Sequence, residues 1–210
     1  MTIPAKYIDE HFENNLRWWE AKGKALASLS LGYLECQDHM SDVYYGLHNN
    51  LLSRLFLQGR PLRGIENTCE IIALYNAFHY LKSDIPFPEL IRSFENRGIW
   101  LKGYWGTKPH ALCSFLKEKG YDYTVLRGKA ITPTNISLCE HTGPCILVTM
   151  NHRFNIWKMI HTVCITPTAT GFKSHNDFEG NKTYSSLADA VLKYHNAKGR
   201  PLMFINIKVR

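Results

Sequence analysis

The chain reads as an α+β fold, with N-terminal helices followed by a mostly antiparallel β-sheet. Three features predict the α+β class. Apolar residues recur at helical spacing through the first part of the chain. Short runs rich in β-branched and aromatic residues, separated by turn residues, fill the later part. Helical patterns first and strand patterns afterwards make an α+β arrangement rather than an alternating one. At 210 residues and 45% apolar composition, the chain has ample material for a core.

From Tyr7 to about Ser28, the residues Ile8, Phe12, Leu16, Trp19 and Ala25 return at helical intervals, which predicts an amphipathic helix. Asp42 to Leu57 reads as a second helix, with Val43, Leu47, Leu51 and Leu55 on one stripe. The linker QGRPLRGIENT, rich in Gly, Pro and Arg, is the strongest boundary signal. It divides the chain into a helical N-terminal extension over residues 1–58 and a domain over 59–210.

After Cys69 the spacing predicts a helix to about Leu81, stopped at KSDIPFP, where Pro86 and Pro88 forbid continuation. FPELIRSFENRG is a shorter helix ending at Gly98. KPHALCSFLKEKGY is another, with Pro109 suited to its first turn and Gly120 to its C-terminal cap. YDYTVLR, GPCILVTMN, IHTVCIT and GFKSHN then read as strands. YSSLADAVLKYHN is a late helix capped by Ser185 or Ser186, and LMFINIKV is the closing strand.

Net charge is +7, but residues 1–58 carry −2 and the remainder +9. The basic residues are scattered singly, as at Lys102, Lys108, Lys117 and Arg127, rather than gathered in an aromatic-laced stripe. That pattern argues for a solvated basic face and against a nucleic-acid partner. No apolar run is long enough to span a bilayer, and MTIPAKYIDEHFENN is too acidic for a signal peptide, so the expectation is a cytoplasmic protein with no membrane partner. The six dispersed cysteines fit reduced thiols. Without HExxH, CxxC or a tight Cys/His cluster, no metal or other cofactor is expected.

One cysteine stands apart by position. Cys69 lies where the polar stretch ENT meets an apolar helix, so the helix dipole would act on its sulfur. A thiol attacks only as thiolate, and a free cysteine with a pKa of about 8.5 is mostly protonated at neutral pH, so it needs such help. Cysteines also serve as small buried hydrophobes, the simplest reading for Cys113, Cys145 and Cys164. A base is therefore the deciding companion. His161 opens the strand IHTVCIT and shares a face with Val163 and Ile165. After the turn TPTATG, the next strand ends in Asn176 and Asp177, which a hairpin would carry beside the imidazole. Adjacent strand residues face opposite ways, so one of the pair would orient His161, with Asn176 favoured.

Cysteine at a helix start, a strand opening with histidine and a strand ending in Asn-Asp resemble the papain-like cysteine peptidase superfamily. Within it the likeness is closest to small bacterial peptidases related to those that process bacteriocin leader peptides. It covers roughly residues 60–210, including PHALCSFLKEKGYDYTVL and the sheet GPCILVTMN, HTVCI and GFKSHND. The resemblance implies Cys69 as nucleophile, His161 as general base and then acid, and Asn176 or Asp177 as the orienting residue. It also implies a peptide or protein substrate and no cofactor. Papain-type enzymes use Asn and bacteriocin-processing types Asp at that last position. The family's oxyanion glutamine is replaced here by Arg63, and Asn67 is ranked above Gln58 as the amide that would stand in. Glu70 follows the cysteine where the bacteriocin-processing type usually has glycine. An acyl transferase using the same triad and a catalytically inactive binding module are the alternatives. Trp100, Tyr104 and Trp105 either pack over the core or line a substrate cleft.

Overall fold

The periodicity read from Tyr7 to Ser28 becomes one continuous helical stretch in the computed structural model: α1 (Ala5–Trp18) passes through a π-helical turn (Trp19–Gly23) into α2 (Lys24–Leu29). The structure describes residues 3–35, 37–47, 61–63, 68–83, 85–97, 107–150, 160–177, 180, 182–192 and 199–209. Gly23 belongs in the wide turn because a Cβ there would sit 2.4 Å from Cε3 of Trp19. Its absence lets Trp18 and Trp19 both turn inward onto Phe87.

The predicted helix over Asp42 to Leu57 is corrected by the structure. Tyr44–Leu47 is a strand, β1, antiparallel to β2 (Pro61–Arg63), and the stretch from residue 48 lies outside the described residues. A long-range contact overrides the helical spacing. The Asn15 side chain donates to the Tyr44 carbonyl (2.8 Å) and accepts from the Tyr44 amide (2.8 Å), which occupies the backbone groups a helix would need. Gly46, at φ 88°, also adopts a left-handed conformation that no helical residue takes.

Three helices follow: α3 (Cys69–Tyr80), α4 (Phe87–Arg97) and α5 (Pro109–Glu118). Pro109 occupies the first turn of α5, and Gly120 beyond its end has φ 75°, as the cap residues require. The strands β3 (Tyr123–Arg127), β4 (Cys145–Met150), β5 (Ile160–Thr168), β6 (Gly171–His175), β7 (Thr183–Tyr184) and β8 (Arg200–Ile207) form one sheet in the order β3-β8-β4-β5-β6-β7. Every pairing in it is antiparallel. Two short helices, α6 (Pro133–Ser137) and α7 (Leu187–Leu192), lie on one side of it, and the Ser186 hydroxyl caps α7 by accepting from the Asp189 amide.

The sheet has two dry faces, which is why its strands read as apolar runs and not as alternations. Ile146, Val148, Cys164, Met203 and Ile205 pack with α3, α4 and α5 in the larger cluster. Cys145, Leu147, Val163, Ile165 and Phe204 pack with Leu187 and Val191 of α7 in the smaller. Within α3, Ile71, Ile72, Leu74 and Phe78 are fully buried, worth roughly 1.5–3 kcal/mol each.

The linker at residue 58 is not a boundary in packing. Ile8, Trp18, Trp19, Ala27 and Leu34 belong to the same cluster as α3, α4 and α5. His11 on α1 meets Glu95 on α4 at 2.6 Å. Asn76 on α3 clamps the backbone of Leu34 from both sides, each bond 2.8 Å. Tyr33 stacks on His175 with centroids 4.1 Å apart, and Glu35 bonds both His175 and Lys173. No described helix is long and apolar enough to cross a membrane.

Candidate functional site

Cys69 is the first residue of α3, with Thr68 before it in non-helical conformation, so its sulfur lies at the positive end of the helix as the sequence implied. The thiol is buried, 5% exposed, and its Sγ donates to Glu70 Oε2 at 3.2 Å. Burial pushes the thiol pKa well above its ordinary value, and the Glu70 carboxylate beside it pushes further the same way. Thr162 on β5 acts in the opposite sense through its backbone and hydroxyl, and does not offset them. At rest, therefore, Cys69 holds its proton.

Glu70 is the residue that sequence reasoning passed over, having registered it only as a departure from glycine. It is 2% exposed within an otherwise apolar helix face. Burial raises its pKa to about 7, partly countered by hydrogen bonds from its own backbone, from the thiol and from the backbone of Thr107. A carboxylate amid CEIIALYNAF was the available signal, since charged residues are rarely buried without a partner. Around it stand Thr107 and Tyr45, whose hydroxyls are 2.6 Å apart, and burial drives the Tyr45 pKa far upward.

Strand alternation then separates two neighbours. Thr162 and Cys164 look toward α3, whereas His161 goes with Val163 and Ile165 to the other face, in register opposite Thr149. Thr162 is the β5 side chain set against the sulfur, and its buried Oγ1 has no hydrogen bond of normal geometry. His161 Nε2 lies 2.7 Å from the main-chain oxygen of Asn176. The hairpin of β5 and β6 thus does bring Asn176 to the imidazole, through its carbonyl. The Asn176 side chain turns elsewhere: its Oδ1 accepts from the Gln37 amide at 2.9 Å, and its buried Nδ2 is unpartnered. Asn176 also ends β6 at φ 64°, a left-handed conformation that asparagine tolerates better than most residues. Asp177 accepts from the Ser174 hydroxyl at 3.2 Å.

Asn67, Gln58, Trp100, Tyr104 and Trp105 lie outside the described residues, as does the side chain of Arg63. Cys113, Cys139, Cys145 and Cys164 are buried free thiols like Cys69, and Cys36 lies outside the description. His79 bonds the Leu31 carbonyl at the surface, and His110 is exposed on α5. Among the described residues, no group of three or more His, Cys, Asp or Glu is placed to hold a metal ion. No protein-family model, curated protein or solved structure matches the chain.

Proposed function

We propose that the chain is a cysteine peptidase, or a closely related thiol amide hydrolase, acting on a peptide or protein substrate. In this reading Cys69 adds to the substrate carbonyl, the leaving amine takes up a proton, the role that the resemblance gives to His161, and water releases the acyl-enzyme. The observation that carries it is the Cys69 thiol at the first residue of α3 with a proton acceptor 3.2 Å from its sulfur. A nucleophile hydrogen-bonded to a base at a helix N-terminus meets the geometric conditions for attack, and the helix end favours the oxyanion that attack creates. In support, His161 Nε2 lies 2.7 Å from the main-chain oxygen of Asn176, a contact that fixes the ring's orientation. Asn67 is the amide proposed to complete the oxyanion site, ahead of Gln58, and Asp177 is the second proposed orienting residue. The chemistry needs no metal or organic cofactor, and a free catalytic thiol suits the reducing cytoplasm. An acyl transferase would use the same residues with a different acceptor for the acyl group.

A second reading, a non-catalytic papain-like binding module, is favoured by one observation: Cys69 is buried and its thiol is held protonated. An activated ester separates the two. Incubation with p-nitrophenyl acetate, followed by peptide mass spectrometry, gives an acetyl thioester on Cys69 if the enzyme reading holds. Folded protein that acquires no acetyl group there supports the binding module.

A further inference from the structure

The first turn of α3 carries two groups that share one proton. Cys69 donates its S–H to Glu70 Oε2, and both side chains are buried. We infer that Glu70 is the general base for Cys69, taking the thiol proton as the sulfur attacks. This rests on the thiol-hydrolase reading above and adds to it a base next in sequence to the nucleophile, outside the Cys-His-Asn/Asp constellation.

The surroundings keep the carboxylate basic. Its hydrogen-bond partners are the thiol and the backbone of Glu70 and Thr107, and among the described residues no Lys or Arg forms an ion pair with it. A carboxylate clamped by a cation would be a weak base; this one titrates near neutrality because burial is the largest influence on it. The described titratable groups around the pair are Tyr45 on β1 and, acting on Tyr45 with Glu70, Glu95 on α4. None is a cation that would pull the proton back to sulfur. His161, by contrast, is set on the opposite face of β5 from Thr162, the residue against the sulfur.

A second feature aims at the same spot. The Thr162 hydroxyl is buried against the sulfur, on which it acts, and makes no hydrogen bond of normal geometry. The tetrahedral adduct on Cys69 would offer that hydroxyl an acceptor oxygen. The proton balance closes. In attack the S–H bond breaks, the S–C bond forms, the carbonyl electron pair moves to oxygen, and the proton passes to Glu70. As the C–N bond breaks, Glu70 passes that proton to the leaving amine; in the return half water adds to the acyl carbon and gives its proton to Glu70, the C–S bond breaks to release the acid, and the Glu70 proton returns to sulfur.

The test is the rate of iodoacetamide alkylation at Cys69 between pH 5 and 9 in the wild-type protein, Glu70→Gln and Glu70→Asp, with folding checked by circular dichroism. The expected wild-type profile inflects near the Glu70 titration. Glu70→Gln loses that inflection and labels about a hundredfold more slowly at pH 7.5. Glu70→Asp, which keeps the charge on a shorter arm, retains the inflection at a reduced rate and serves if the glutamine variant does not fold. Glu70→Gln labelling as fast as wild type or faster, with the inflection intact or the thiolate merely released, overturns the role of Glu70 while leaving Cys69 a nucleophile. Folded wild-type protein whose Cys69 is not alkylated at any pH overturns the hydrolase reading together with this one.

Discussion

His161 Nε2 and the carbonyl oxygen of Asn176 lie 2.7 Å apart. A carbonyl only accepts, so Nε2 carries the hydrogen and, in the neutral ring, Nδ1 is left as the accepting nitrogen. Because the orienting atom belongs to the main chain, Asn176→Gly keeps it and also suits the φ of 64°. The variant loses only the Oδ1 that accepts from the Gln37 amide, and should cost about 1–3 kcal/mol in urea unfolding. Imidazole nitrogen shifts of His161 should report the same tautomer in Asn176→Gly and in Asp177→Asn as in the wild type. A changed tautomer in the glycine variant would show that the side chain, and not the carbonyl, sets the ring.

Glu95 Oε1 joins three elements, meeting His11 of α1 at 2.6 Å and accepting the Gly46 amide of β1 at 2.8 Å. Both side chains of the His11–Glu95 pair are almost wholly buried. Removing either partner leaves the other desolvated and alone, so His11→Ala and Glu95→Ala should each lose about 3–5 kcal/mol. The double variant should lose much less than the sum. Additive losses in a denaturation cycle would mean that the two residues act independently.

Glu70 gives stability a pH signature of unusual sign. Its folded pKa, raised from 4.5 to about 7, means that the folded state binds the proton more tightly than the unfolded chain. Its contribution therefore falls as pH rises from about 4.5 to 7, by on the order of 3 kcal/mol, and stays low above that. Glu70→Gln should remove this decline. The unfolding free energy should fall further between pH 4.5 and 7.5 in the wild type than in the variant, and parallel curves would contradict a buried carboxylate with a raised pKa.

Glu35 works the other way. Burial alone would raise its pKa, but hydrogen bonds and charge from His175 and Lys173 outweigh it and hold the carboxyl below its ordinary value. Stability from this group is present above the unfolded carboxyl pKa and lost as pH falls through the lower, folded one. Glu35→Gln should thus weaken the protein at pH 7 and approach wild type in strong acid. With Tyr33 stacked on His175, the loss should appear first as amide exchange at residues 33–35. Unchanged exchange there would show that Glu35 does not hold this segment against β6.

Five strands, β3, β4, β5, β6 and β8, were legible because each apolar run was bounded by turn residues, and the helix ends because their signals were local: Pro109, Gly120 and Ser186 stand where the caps form. β1 was not legible, since Val43 and Leu47 satisfy a helical spacing and the Asn15 clamp on Tyr44 comes from far along the chain. The site was legible in part. The position of Cys69 and the meeting of His161 with Asn176 followed from helix onset and hairpin register. Which atom of Asn176 serves did not, because its left-handed backbone breaks the alternation that the reasoning used. The same alternation, counted from Cys164, sets Thr162 and not His161 on the face toward the thiol.

Central to the account is that Cys69 is a nucleophile rather than a packed thiol. The reduced native protein should be treated with iodoacetamide near pH 7.5 and the alkylated peptides mapped. The account predicts that Cys69 is labelled selectively over Cys113, Cys139, Cys145 and Cys164, which are likewise buried. Labelling of Cys69 no faster than those core thiols would contradict it.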